Sequence, residues 1–388
     1  MNRAVAFYAP LKPPDHPVPS GDRRMARGLM RALTIGGHPV EVASRLRSYD
    51  GAGDARGQRR IRGLGARLAT RLLRRYRALP AERRPWAWLT YHPYHKSPDW
   101  LGPPVTAALG IPYLLAEASV APKQRTGPWV EGFAATEQAV RAADVVLAMT
   151  AVDAECLAPL VVPPAELRRL PPFIDPAPYR AAAQARDRHR AAAAARFNLD
   201  PARPWLLAVA MMRADVKRDS YGLLARALAE VRDLSWQLLV VGDGPARPEI
   251  AAAFGALGRE RVAFAGLVAE AALPPLYAAA DLYVWPAVRE AYGLALLEAQ
   301  AAALPVIAGR EGGVAEVVAD GRSGILTSPR DPLALAGAVR DLLEQPQRRR
   351  TIAAAAARFV AIERSIEQAA ATLSAALAAA VAIRAFRQ

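Results

Sequence analysis

Two successive trains of strand and helix signals constrain this chain more than any other feature of its sequence. Short apolar runs alternate with amphipathic stretches from Val5 onward, and the alternation restarts at Trp205. Such alternation is the pattern of parallel sheets covered by helices. In the first train, residues 5–8, 38–43, 86–90, 113–116 and 145–149 read as strands. Residues 23–36 read as a helix carrying Met25, Leu29, Met30 and Leu33. In the second train, 205–211, 237–241, 262–265, 282–285 and 305–308 read as strands, and 220–232 and 293–303 as helices. Between them, Pro171, Pro172, Pro176 and Pro178 exclude a continuing helix or a central strand, so this stretch reads as a connector. A helical segment over 180–196 follows it. The expectation is α/β with two domains, 1–175 and 176–370, and a C-terminal helix at 371–388 crossing back to the first.

Length and composition agree with that division. A chain of 388 residues, 53% apolar and 22% charged, suits two globular α/β domains. The single cysteine, Cys156, has no internal disulfide partner and favours a reducing, cytoplasmic setting. The first apolar run is too short for a signal peptide. The longest one, 369–383, is alanine-rich and interrupted by Thr372 and Ser374, so it reads as a packed terminal helix rather than a membrane span. Charge is unevenly placed. Residues 1–200 hold 30 basic and 17 acidic side chains, leaving 21 against 19 in the rest, so an anionic partner should meet the first half.

Three stretches after second-train strands carry candidate chemistry. In Glu290-Ala291-Tyr292-Gly293-Leu294-Ala295-Leu296-Leu297-Glu298 a loop carries Glu290, and a helix begins near Gly293. Glycine there permits close backbone approach, and the free N–H groups of a helix start favour an anion. Glu298 stands among Leu and Ala; it either faces solvent on a polar strip or needs a partner or ligand. In Met211-Met212-Arg213-Ala214-Asp215-Val216-Lys217, two cations follow a strand, as diphosphate binders or as an exposed basic loop. Val240-Val241-Gly242-Asp243-Gly244-Pro245 is half a dinucleotide fingerprint, and without a third glycine it argues against a nicotinamide cofactor.

In order, these stretches resemble the retaining glycosyltransferases of family 4 (group 1), which have the GT-B architecture. The resemblance covers residues 206–335. It also includes Tyr277-Ala278-Ala279-Ala280-Asp281, Leu304-Pro305-Val306-Ile307, Gly312-Gly313-Val314-Ala315-Glu316-Val317-Val318 and Asp320-Gly321-Arg322-Ser323-Gly324. It implies two Rossmann-like domains facing across a cleft and a nucleotide-diphosphate sugar as substrate, with no cofactor. Arg213 and Lys217 would hold the donor diphosphate, Glu298 the ribose and Glu290 the donor sugar. Backbone at Tyr292, Gly293 and Leu294 would meet phosphates or sugar, and the base would lie near Gly266. The Arg-to-Lys interval is slightly shorter than the family pattern, which makes Arg218 an alternative to Lys217.

The first half matches less. Of the glycine-rich loop such proteins have after the first strand, only Gly21 is present. Where relatives have a histidine, Leu114-Leu115-Ala116-Glu117-Ala118-Ser119 has none. Glu117 is therefore the acceptor-side candidate, as base or hydroxyl binder, with His92 and His95 as alternatives. No Asp-x-Asp occurs, so no metal site is expected and cations with a helix start take the metal's part.

From Arg59 to Arg84 there are ten arginines and one acid, Glu82. Ile61, Leu64, Leu68, Leu72, Tyr76 and Leu79 mark one apolar face. Such a helix covers a sheet, and its arginines also suit peripheral contact with anionic membrane through residues 59–84, at the inner face of the cytoplasmic membrane. Nucleic acid is not expected, since no binding motif accompanies the arginines. The functional expectation is a glycosyltransferase, with hexosyl transfer to a glycan or lipid-linked hydroxyl. The alternatives are a non-catalytic nucleotide-sugar or glycan-binding scaffold, and another GT-B enzyme such as an epimerase or phosphorylase.

Overall fold

The computed structural model describes residues 3–387; the outermost residues of the expected domains, Met1, Asn2 and Gln388, lie outside it. The chain forms two compact units. One runs to Pro171 and resumes at Ile366; the other is Pro172–Ser365. The boundaries thus fall four and five residues before those expected at 175/176 and 370/371.

The first unit holds a six-stranded parallel sheet of β1 (Val5–Tyr8), β2 (Val40–Ser44), β3 (Ala87–Tyr91), β4 (Tyr113–Ala116), β5 (Val145–Ala148) and β6 (Glu166–Arg169), in the order β2-β1-β3-β4-β5-β6. β1, β3, β4 and β5 are buried throughout, as continuous apolar runs covered on both faces must be. β6 is polar and lies at the sheet edge, where one flank stays wet; its Glu-Leu-Arg-Arg sequence gave no strand signal. The helix Gly21–Ile35 follows β1 because Ser20 caps it, accepting from the Arg23 amide at 3.2 Å. Met25, Ala26, Leu29, Ala32 and Leu33 form its buried face.

The helix Ala55–Ala78 turns most of the expected face to the core, with Leu72 and Tyr76 buried and Leu68 and Leu79 packed against the core, but small residues join that face and Leu64 falls outside it. Gly65, Ala69, Leu72 and Tyr76 are buried, whereas Leu64 is 38% exposed. The reason is close packing: a Cβ on Gly65 would sit 2.5 Å from the Trp100 side chain, so the helix approaches along its small residues. Arg59, Arg60, Arg62, Arg67, Arg71, Arg74, Arg75 and Arg77 remain exposed.

The helix Ile366–Arg387 is long and apolar enough to cross a membrane by composition alone. It buries Ile366, Ala369, Ala370, Leu373, Ala376, Leu377, Ala380 and Ile383, and lies against the Gly21–Ile35 helix. Its end is tied to Asp144, which is fully buried. Arg384 reaches Asp144 at 2.7 Å and Arg387 at 2.9 Å.

The second unit has a six-stranded parallel sheet of β7 (Trp205–Val209), β8 (Gln237–Val241), β9 (Val262–Gly266), β10 (Leu282–Trp285), β11 (Val306–Gly309) and β12 (Gly324–Thr327), ordered β12-β11-β10-β7-β8-β9. Counted within the unit, that is the 3-2-1-4-5-6 order of dinucleotide-binding sheets. The expected helix over 180–196 is two helices, Ala177–Gln184 and Arg186–Phe197. The second is fixed by Asp281, which takes Arg186 at 2.8 Å, Arg190 at 2.9 Å and the Trp205 amide at 2.8 Å. Asp281 therefore anchors a helix to the starts of β7 and β10.

Candidate functional site

In each sheet the strand order reverses direction once, and the loops at that point diverge to leave a crevice at the strands' carboxyl ends. In the second unit the reversal lies between β7 and β10. The loop after β7 carries Arg213 and leads into the helix Val216–Ala229, capped by Asp215, which accepts from the Lys217 amide at 3.0 Å. That cap starts the helix four residues earlier than expected and puts Lys217 in its first turn. The Lys217 ammonium contacts the Glu290 carboxylate from the loop after β10; both side chains are only 15% exposed. Trp285 closes the arrangement. Its Nε1 donates to Glu290 at 3.2 Å, and its ring centre lies 5.5 Å from Lys217 Nζ.

The other basic residues point elsewhere. Arg213, half-exposed, pairs with Asp215 at 3.1 Å. Arg218 turns to Glu249 at 3.2 Å on the surface, so Lys217 and not Arg218 joins the Glu290 cluster.

Glycines hold these loops in place. A Cβ on Gly242, after β8, would lie 1.9 Å from the Ala210 carbonyl oxygen, and one on Gly312 would lie 1.9 Å from that of Glu290. The half-fingerprint Gly242-Asp243-Gly244 thus braces the Arg213 loop: Met212 donates its amide to Asp243 O at 2.9 Å. Gly266 ends β9, and its carbonyl accepts from the Gly242 amide at 2.9 Å. The loop after β10 also contains Ala287 and Arg289 with φ of 59° and 48°, uncommon for side-chain-bearing residues and costing of order 1–3 kcal/mol each. Gly293 leads into the eight-residue helix Leu294–Ala301 without a side-chain cap, leaving backbone N–H groups at its start available to an anion. Tyr292 beside it is mostly buried.

Glu298 does not face solvent. It is fully buried, in a helix buried from Leu296 to Ala301, and accepts from the Tyr277 hydroxyl at 2.7 Å. Burial, and then the charge of Glu298, push the Tyr277 hydroxyl well above its ordinary pKa.

In the first unit the reversal lies between β1 and β3. Gly21 opens the helix after β1, with no atom within 4 Å of where a Cβ would be. His92 directly follows β3 and Glu117 directly follows β4, with φ of 57° and 56°. These left-handed turns bring the two side chains together. His92 Nδ1 lies 3.9 Å from Glu117 and 3.3 Å from Asp22, in the first turn of the Gly21–Ile35 helix. Burial alone lowers the imidazole pKa, but the nearby Glu117 and Asp22 carboxylates outweigh it and raise it to about 9. His95 is not part of this cluster. It meets the Trp129 ring edge-on at 5.7 Å, its pKa lowered by burial, Lys96 and Lys123. Among the described residues, no group of three or more His, Cys, Asp or Glu is placed to hold a metal ion.

Residues 203–345 match the family described as Glycosyl transferases group 1. The second unit carries a group 1 glycosyltransferase domain. Arg213, Lys217, Gly266, Glu290, Tyr292, Gly293, Leu294 and Glu298 all lie inside the matched residues of that domain; Gly21, His92 and Glu117 lie outside them.

The chain is 33% identical over 175 residues to alpha-D-kanosaminyltransferase of Streptomyces kanamyceticus, covering 45% of each chain. Over 216 residues it is 33% identical to the GDP-mannose-dependent alpha-(1-6)-phosphatidylinositol monomannoside mannosyltransferase of Mycolicibacterium smegmatis, covering 53% of this chain and 54% of that one. It thus spans about half the length of these curated relatives. Among solved structures, a glycosyltransferase from Rickettsia africae superimposes with a TM-score of 0.73 at 16% identity, over 98% of this chain and 99% of that one. Anabaena HepE, crystallised with UDP and glucose, gives 0.67 at 16% identity, over 97% and 100%. The fold is that of the GT-B glycosyltransferases.

Three residues at these sites escaped the sequence reading: Trp285 and Tyr277 in the group 1 domain, and Asp22 in the first unit. Trp285 ends a run read only as a strand, and Tyr277 opens a motif quoted only for the family resemblance. Asp22, next to Gly21, becomes visible only when β1 and β3 are known to be neighbours.

Proposed function

We propose that this chain transfers a glycosyl unit from a nucleotide-diphosphate sugar to a hydroxyl acceptor, a glycan or a lipid-linked precursor, with retention at the anomeric carbon. The observation that carries the proposal is the Lys217–Glu290 contact at the β7/β10 reversal, beside the uncapped start of the Leu294–Ala301 helix. An ammonium and a carboxylate held together there are a matched pair for a ligand with a diphosphate and a hydroxyl-rich sugar. Lys217 exchanges Glu290 for a phosphate oxygen, and Glu290 accepts from sugar hydroxyls. When the bond from the anomeric carbon to phosphate breaks, its electron pair stays on the diphosphate. Lys217 and the helix N–H groups stabilise that charge as it develops, and Arg213 joins them by exchanging Asp215 for a phosphate oxygen. Two relatives are named for transfer of kanosamine and of mannose from GDP-mannose, which supports donor use by this domain.

The ribose role that the family resemblance gives to Glu298 is compatible with its hydrogen bond from Tyr277, which reaches Oε2 alone, since a carboxylate accepts at both oxygens. Glu117 and His92 serve the acceptor hydroxyl. No divalent ion is required, because cations of the chain neutralise the diphosphate. The exposed arginines of the Ala55–Ala78 helix give peripheral contact with anionic lipid, which salt-sensitive flotation with vesicles containing phosphatidylserine detects.

A thermal-shift screen of UDP, GDP, ADP and their sugars tests the donor site, repeated on Glu298→Ala and Tyr277→Phe. Ligand at a hundred times its dissociation constant stabilises by about 3 kcal/mol. One nucleotide class should shift the wild type. Loss of the shift in Glu298→Ala but not in Tyr277→Phe assigns the ribose to Glu298, and no shift with any class refutes the donor reading.

A further inference from the structure

A helix start and two loops that are distant in sequence meet at the β1/β3 reversal of the first unit. Asp22 comes from the helix after β1, His92 from the residue after β3 and Glu117 from the residue after β4. Asp22 lies closer to His92, at 3.3 Å, than Glu117 does at 3.9 Å. Both carboxylates approach the same ring nitrogen, Nδ1, which leaves Nε2 to face a ligand. The His92 side chain is 21% exposed and that of Asp22 34%, so a ligand can reach both. Two of the three residues hold left-handed backbone conformations without being glycine. Sheet packing alone does not call for these, and they aim the two side chains at one another. The Tyr94 ring lies beside the imidazole at 5.3 Å between centroids.

We propose that Asp22 is a positioning residue that turns His92 towards Glu117, so that the three form one binding site for the vicinal hydroxyls of an uncharged polyol or sugar acceptor. This rests on the transferase reading above for its consequence but not for its geometry. The carboxylates accept from hydroxyls and the imidazolium donates to a hydroxyl oxygen. The charged groups that bear on the imidazole are Asp22 from the helix, Glu117 from β4 and Asp153 from the helix Ala151–Leu157; Lys12, from the loop after β1, bears on Asp22. The acids that bear on the imidazole, Asp22, Glu117 and Asp153, disfavour a phosphate at this point of the acceptor. Desolvation raises the Asp22 pKa, but the nearby His92 and the charge of Lys12 hold it below the ordinary carboxylate value, so both groups are charged at neutral pH.

The test uses the full chain and two readouts. The first is histidine side-chain NMR titration, with the His92 signal among the five histidines assigned by its loss in His92→Gln. It should show His92 titrating near 9 in the wild type and at least one unit lower in Asp22→Asn, with Asp22→Glu restoring much of the shift. An unchanged His92 titration in a folded Asp22→Asn protein overturns the proposal; if that variant does not fold, Asp22→Ser takes its place. The second is the split between acceptor and donor. Asp22→Asn should raise the acceptor KM tenfold or more and leave nucleoside diphosphate Kd within twofold, and equal KM values overturn the proposal. A wild type that turns over no nucleotide sugar defeats the transferase reading instead, while the titration still reports on Asp22.

Discussion

The group 1 domain and the first unit both turn a loop at the point where their strand order reverses, but they do so with different residues. At β7/β10, glycine lets backbone lie against backbone: Gly242 and Gly312 each come within 1.9 Å of a carbonyl oxygen at the place of a Cβ. What they frame is a Lys–Glu contact and an uncapped helix start, suited to phosphate. At β1/β3 the loops carry side chains through the same kind of turn, at His92 and Glu117, and the cluster is acidic around one imidazole. A phosphate-binding place needs exposed N–H groups and so needs glycine. A hydroxyl-binding place needs side-chain acceptors and so keeps its Cβ atoms. Left-handed turns at side-chain-bearing residues occur in both, at Ala287 and Arg289 as well as at His92 and Glu117, so the crevices differ in the groups they present rather than in the turns themselves.

The largest expected effect strikes the first side of that comparison. Glu290→Gln should lower transfer by about 100- to 1,000-fold, or roughly 3–4 kcal/mol of transition-state stabilisation, as loss of a fixed electrostatic partner does. Arg218→Ala, which removes only a surface pair with Glu249, should change it less than about threefold; steady-state rates at fixed acceptor check both.

Next come the buried carboxylates that fasten each unit. Asp144→Ala frees Arg384 and Arg387 of the last helix and should cost about 3 kcal/mol in urea unfolding, as breaking a buried ion pair does. Comparable stability in the variant would mean that the helix is held by its apolar face alone.

The glycines give a smaller and sharper contrast. Gly242→Ala puts a methyl against the Ala210 carbonyl at a φ of 142° and should cost about 2 kcal/mol, read as a lower Tm. Gly21→Ala meets no atom within 4 Å and should be neutral or slightly stabilising within about 1 kcal/mol. Equal losses would mean that both loops are packed alike.

A last contrast is one of pH, read as a slope rather than as a loss. His92 has a folded pKa of about 9 against an ordinary value of 6.5, because Glu117 and Asp22 outweigh its burial. The stabilisation from its proton is therefore fully present below about pH 6.5 and lost as pH rises through 9. The Tm of the wild type should decline over that window more than that of His92→Gln.

Much of this was legible before any coordinates. β4, β8 and β10 fell within their expected bounds because strands buried on both faces are unbroken apolar runs. β6 and β12 were missed: the first is a polar edge strand, and the second follows a turn-rich stretch and is only four residues long. The start of the Val216–Ala229 helix was missed because Asp215 was read as loop rather than as cap. At the site the contrast is sharper. Glu290, Gly293 and Glu298 are close in sequence, so one motif displays them together. Asp22, His92 and Glu117 lie on three loops that only the β2-β1-β3-β4 order brings to one place. Glu298 was legible as an oddity among Leu and Ala, but its partner Tyr277 comes from another helix and was not.

The most direct test of the central claim is acceptor-dependent release of nucleoside diphosphate from UDP-, GDP- and ADP-sugars by the wild type, Lys217→Ala and Arg218→Ala. The account predicts release from one nucleotide class, abolished in Lys217→Ala and kept in Arg218→Ala. Equal release by the wild type and Lys217→Ala would contradict it, since the Lys217–Glu290 contact would then have no part in donor chemistry.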